Sequence, residues 1–137
     1  MPIATPEQLE TVRREFDGSG EMVAKANAAG VRLLTGDDYG VLMLPHGSYA
    51  SELEFYVKDL GVPPLDVLRW ATRHGAEAMG RGDELGRIAP GRLADLVAVA
   101  GDPSSDIAVL QDPAKIHAVM RGGRFAVDQL GGPAGAA

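Results

Sequence analysis

One helix-to-strand junction constrains this chain more than any other feature. Glu21 to Ala29 has helical spacing and stops at Gly30, and Val31 to Thr35 follows at once as a short apolar, β-leaning run. A helix closed by glycine and passed directly to a strand is the αβ half of an α/β unit. A loop, Gly36-Asp37-Asp38-Tyr39-Gly40, then lies at the strand's C-terminal end. The chain has 137 residues, enough for one domain with a usable core. A complete eight-stranded α/β barrel needs about 250.

The flanking elements follow from local chemistry. Thr5-Pro6-Glu7-Gln8 reads as a helix start, with Thr5 as cap, Pro6 at the first helical position and Gln8 closing a capping box. Leu9, Val12 and Phe16 recur at helical spacing, and Asp17-Gly18-Ser19-Gly20 is expected to break that helix. Val41 to Leu44 is a short apolar run, strand or loop. Ser48 to Leu60 is a second helix, with Ser48 as its cap and Gly61 as its stop. Pro63 and Pro64 restart the chain, and Leu65 to Met79 makes a mostly buried helix up to Gly80. Beyond Gly86 the character changes. Leu93–Ala100 and Ile116–Met120 read as strands, Ile107–Leu110 as one helical turn, and Arg121-Gly122-Gly123 as a hairpin turn into Arg124–Val127.

The expected architecture is therefore α/β to α+β, a helix–strand–helices part followed by a small antiparallel sheet. Residues 1–130 form one compact domain, with α/β character over 1–80 and strands over 81–130. Residues 131–137 form a disordered tail.

Charge and composition narrow the partners. A net charge of −6 argues against a general nucleic-acid binder. With no cysteine, disulfides, thiolate nucleophiles and Cys-based zinc sites are excluded. No apolar run has the length of a membrane-spanning helix, and the N-terminus lacks the basic and apolar regions of a secretory signal. A cytoplasmic protein acting on a small molecule is the default expectation.

Chemistry-bearing residues gather around the loop after Val31–Thr35. Asp37 and Asp38 occupy a glycine-flanked turn, where aspartate is common for purely local reasons. His46 lies between Pro45 and Gly47, a loop position open either to a surface histidine or to a partner of Asp38 as metal ligand or general base. Ser48 lies near both and raises a metal-free Ser/His/Asp esterase, although no G-x-S-x-G elbow is present. His74 reads as a hydrogen-bonded packing residue and His117 as structural. Tyr49, Phe55, Tyr56 and Trp70 read as core or interface aromatics.

Several phrases, in order, carry a resemblance. They are Ala29-Gly30-Val31 with Thr35-Gly36-Asp37-Asp38, then His46-Gly47, Glu52-Leu53, Gly61 with Pro64-Leu65, and Ala71-Thr72. Leu85-Gly86 with Ile88, Pro90-Gly91 with Leu93-Ala94-Asp95-Leu96-Val97, Gly101-Asp102-Pro103 with Asp106-Ile107, and Val119 with Gly122-Gly123 complete the series. Over roughly residues 20 to 128 the chain resembles the C-terminal part of a metal-dependent amidohydrolase, of the imidazolonepropionase-like and prolidase-like branch. The resemblance implies an α/β barrel flanked by a β-sandwich, with one or two metal ions, often zinc, at the strand ends. It makes Val31–Thr35 the eighth barrel strand and Asp38 the carboxylate that touches metal and takes a proton from the metal-bound water. It sets His46 beside the substrate and gives 93–127 a sandwich role.

The family's two-metal centre uses about four histidines, a bridging lysine and an aspartate. This sequence has three histidines and no His-x-His pair. Lys25, Lys58 and Lys115 occupy helical or turn contexts. Asp38 alone is carried over as a ligand position, and Asp37 replaces a smaller residue, commonly threonine. Strand edges and apolar faces that a whole barrel would cover need another partner. The economical expectation is a homo-oligomer, with elements exchanged between copies, whose site is composite or reduced. Its candidate residues are Asp38, His46 and Asp37, with Asp38 and His46 as ligands to zinc or another divalent metal. The function implied is hydrolysis of amide, ester or related bonds by metal-activated water. The rival is a self-associating chain without catalysis of its own.

Overall fold

The computed structural model describes residues 5–37, 39–40 and 46–131. Asp38, Val41–Leu44 and residues 132–137 lie outside the described residues, so the expectations that fall on them are not addressed by the fold.

Helix α1 spans Pro6–Ala28. Thr5 accepts the Gln8 N–H at 3.2 Å while Gln8 Oε1 accepts the Thr5 N–H at 2.8 Å, the reciprocal capping box read from the sequence. The break expected at Asp17–Gly20 does not occur, and the helix runs straight through. Ser19 turns its hydroxyl back onto the Glu15 carbonyl at 2.9 Å, within the helix. Gly20 has a packing reason, since a Cβ there would stand 2.9 Å from Leu60 Cδ2. At the C-terminus the Val31 N–H reaches the Ala26 carbonyl at 3.0 Å, a bond characteristic of a glycine-terminated helix.

Residues 31–37 have no regular secondary structure and pair with no strand among the described residues, which corrects the expectation of a strand at Val31–Thr35. An extended segment becomes a strand only when a neighbour supplies the ladder. Helix α2, Ala50–Lys58, is shorter than the Ser48–Leu60 reading. Its N-cap is Tyr49 with no side-chain cap, so Ser48 is not the cap expected of it. The Ser48 carbonyl instead accepts from the Ser51 N–H at 2.9 Å and the Ser51 hydroxyl at 2.6 Å.

The long helix expected from Leu65 is divided. Helix α3, Pro64–Arg69, passes into a π-helical turn, Trp70–His74, and then into α4, Gly75–Ala78. Within it, Thr72 Oγ1 donates to the Leu68 carbonyl at 2.6 Å. A Cβ on Gly86 would meet Arg73 Cα at 2.8 Å, so the following loop is pressed against the widened turn. Strand β1, Leu96–Val99, β2, Ile116–Arg121, and β3, Arg124–Asp128, form an antiparallel sheet in that order. Gly122 and Gly123, at φ 55° and 79°, make the β2–β3 turn that needs two left-handed residues. The Ile107–Leu110 turn is a 3₁₀ helix, Ile107–Gln111, lying on α2.

Val62, Val67 and Trp70 form the core, with Val23, Leu33, Leu53, Tyr56, Val57 and Leu60 packed around them. Leu33 is thus drawn into the core from the segment after α1, and the site hangs from that attachment. The Asn27 amide donates to Asp66 at 2.9 Å and ties the end of α1 to the start of α3.

Candidate functional site

The site is built on the segment from Val31 to Tyr49. Its first part, residues 31–37, is fixed by side chains rather than by a ladder. His74 Nδ1 lies 2.7 Å from the Leu33 carbonyl oxygen and, in the tautomer protonated there, donates to it. This is the packing role expected of His74. Three residues on, the Gly36 N–H donates to Glu52 Oε1 at 2.7 Å. The Tyr56 hydroxyl donates to the same oxygen at 2.9 Å. Tyr56 in turn meets the Trp70 ring edge-on, 5.4 Å between centroids. Burial, and next the hydrogen bond to Glu52 and that carboxylate's charge, push the Tyr56 phenol well above its ordinary value.

Asp37 follows this attachment directly and has interaction partners of its own. Asp38, the expected ligand, is outside the described residues. Tyr39 folds back over the start of α2, its hydroxyl donating to the Tyr49 carbonyl at 3.2 Å. The two tyrosine rings meet edge-on at 4.6 Å. Burial, above all, holds the Tyr39 phenol above its usual range. The Ser51 hydroxyl opposes this, and the Glu52 and Asp37 charges add to it.

His46 is exposed on a turn, with Nδ1 3.1 Å from the Tyr49 hydroxyl. When Nδ1 carries the proton and donates to Tyr49, Nε2 keeps a lone pair for a proton or a metal. Nε2 faces Gly40, where a Cβ would stand 2.7 Å away. The turn residues Tyr39–Gly40 and the imidazole of His46 therefore meet, through Gly40 and through Tyr49. Tyr49 and Glu52 are the residues that sequence reasoning missed. Tyr49 read as a packing aromatic, and Glu52 entered only as part of a family phrase.

A groove of about 570 Å³ opens beside the His46 turn, bounded by Ser48, Gln111 and Gln129 and by the apolar side chains of Leu110, Ile116 and Val127. It has the size of a small-molecule site, although none of the described residues lining it is a carboxylate or a histidine.

Donor chemistry limits what this chain holds alone. Among the described residues, no three His, Cys, Asp or Glu side chains cluster as a metal site would require. The described donors therefore do not by themselves fit a metal centre of the kind the resemblance implies. Also among the described residues, no helix is long and apolar enough to cross a membrane.

Comparison with known proteins agrees with this arrangement of elements. The amidohydrolase family profile matches residues 19–126. Ochratoxinase of Aspergillus niger is 34% identical over 98 residues, covering 71% of this chain and 20% of that protein. Imidazolonepropionase of Cereibacter sphaeroides is 31% identical over 103 residues, covering 75% and 26% respectively. Among solved structures, A. niger ochratoxinase superposes with a TM-score of 0.81 at 27% identity, covering 93% of this chain and 29% of that one. A Xaa-Pro dipeptidase with methionine bound in its active site gives 0.69 at 33% identity, covering 79% and 25%. The chain thus spans 20% to 26% of the length of these curated relatives. The expected partial barrel end with a small antiparallel sheet agrees with likenesses that cover so small a part of larger proteins.

Proposed function

Because this chain belongs to the amidohydrolase family, we propose that it acts in the hydrolysis of amide, ester or related bonds, with Asp38 and His46 at the reacting end and Asp37 beside them. One observation carries the reading. Two described residues near position 38 are held in place, Gly36 by its N–H on Glu52 and Tyr39 by its hydroxyl on the Tyr49 carbonyl. General-base chemistry requires a carboxylate at a set place, and the held residues on either side of position 38 support that role for Asp38. His46, oriented by Tyr49, is the second proton-handling group. An amide is the favoured bond, since one of the structural neighbours is a dipeptidase.

In this reading the site is composite: Asp38 and His46 would hold a divalent metal, zinc or another, only with further donors from other copies, and the metal would supply an activated water. Unpartnered apolar surface supports self-association. Val97, Val119 and Val127 form one cross-strand row, and Leu96, Met120 and Phe125 another. Val119 and Met120 are consecutive on β2 and face opposite sides, so both faces of the sheet carry an apolar row. Val97 is 57% exposed and Phe125 51%. Along α1, Leu9 and Val12 are exposed as well.

The incomplete donor set favours one rival, an assembly without turnover. Metal content and amide hydrolysis, measured on the size-fractionated protein with and without chelator, separate the two. Stoichiometric metal and chelator-sensitive turnover in an oligomeric fraction support the proposal. A metal-free, inactive oligomer supports the rival.

A further inference from the structure

We propose that Glu52 is the positioning residue of this site, its carboxylate fixing the backbone at Gly36, directly before Asp37. The inference rests on the hydrolytic reading for its purpose and on geometry for its substance.

Glu52 is 9% exposed and is the buried charged residue among the described ones. A carboxylate is costly to bury and is retained where it satisfies donors that nothing else reaches. Here one oxygen, Oε1, serves both the Gly36 N–H and the Tyr56 hydroxyl. Among the described residues no buried side-chain nitrogen or oxygen lacks a partner, so the carboxylate and the phenol satisfy each other. An apolar side chain would fill the same space and leave both donors without an acceptor. The connection then runs continuously: Trp70, 2% exposed in the core, holds the Tyr56 ring; Tyr56 holds Glu52; Glu52 holds Gly36. Asp37 and Asp38 are the next two residues.

The attachment matters because the segment has no strand neighbour among the described residues. Its described anchors include the Val31 N–H on Ala26, Arg32 on Glu77, Leu33 in the core with its carbonyl at His74, and Gly36 on Glu52. Of these, only the last adjoins the carboxylates. Glu52 touches no reacting atom; it acts through the backbone it holds.

The test compares the full-length chain with Glu52→Gln, Glu52→Leu and Tyr56→Phe, reading amide hydrogen exchange by NMR and turnover of an N-acyl-amino-acid amide. Glu52→Leu is expected to speed exchange at Gly36 about tenfold or more while Trp70 and Val57 stay protected. Glu52→Gln, which keeps an acceptor oxygen in place, is expected to stay within about threefold of the parent. Turnover is expected to follow the same order, falling about tenfold or more in Glu52→Leu and recovering in Glu52→Gln. Unchanged Gly36 exchange in Glu52→Leu, or uniform loosening of the whole core, overturns the inference. Should Glu52→Leu not fold, Tyr56→Phe keeps the ring on Trp70 and removes the anchor; a selective rise at Gly36 supports the inference, and no change overturns it. A parent chain without turnover whose Gly36 exchange responds as expected would remove the hydrolytic reading and leave the role of Glu52 standing.

Discussion

Gly36 and Glu52, sixteen positions apart, are joined by a 2.7 Å hydrogen bond from backbone N–H to buried carboxylate. That bond makes the end of a segment without a strand neighbour among the described residues a defined place.

Removing the phenol of Tyr56 tests its energetic share. Tyr56→Phe keeps the ring against Trp70 and deletes one of the donors to Glu52. A loss of about 1 kcal/mol is expected, measured by urea unfolding at neutral pH. No loss would mean that Glu52 finds an equivalent donor in water.

The same hydroxyl sets a pH dependence. Its folded value is raised, so an unfolded chain gives up this proton first as the pH climbs past about 10. The associated stability is fully present below the unfolded value and is lost as the pH rises toward the folded one. Tyr39, also raised, adds to the trend in the same direction. Alkaline unfolding titrations should show a falling limb that is shallower in Tyr56→Phe. A limb of equal slope in parent and variant would contradict the assignment.

Trp70 is the deepest support of the site, 2% exposed between the core and Tyr56. Trp70→Ala is expected to cost about 3–5 kcal/mol, enough to unfold a marginal domain. Circular dichroism with denaturant would show it, and a well-folded variant with near-parental stability would contradict the packing described.

Gly40→Ala probes the meeting of the turn with His46. Gly40 has φ +100°, and a Cβ there would stand 2.7 Å from His46 Nε2. A cost of roughly 1–2 kcal/mol is expected from the backbone alone. The imidazole should also swing off Tyr49, seen as a shift of the His46 ring signals in NMR. Unshifted His46 signals would show that the ring does not lie against this turn.

What the sequence made legible was local chemistry. The Thr5–Gln8 capping box, the stop at Gly30 and the Gly122–Gly123 hairpin each depend on a few adjacent residues, and each formed. Where packing decided, the reading failed. Asp17–Gly20 looks like a breaker until Leu60 is seen lying on Gly20. The π-helical turn at Trp70–His74 has a loop pressed on it at Gly86, which spacing cannot reveal. The site divides in the same way. The turn around Asp37 and the loop histidine His46 stand out by residue type. Glu52 does not, because a glutamate near a helix start reads as a solvent-facing charge until Gly36 and Tyr56 are seen to converge on it.

In the proposed function the carboxylate of Asp38 does the hydrolytic work. Turnover of an N-acyl-amino-acid amide by the assembled chain, compared with that by Asp38→Ala at matched metal content and oligomeric state, tests it most directly. A loss of about a hundredfold or more is expected in the variant, on the scale of a removed general base. Equal turnover by the two proteins would remove Asp38 from the reaction.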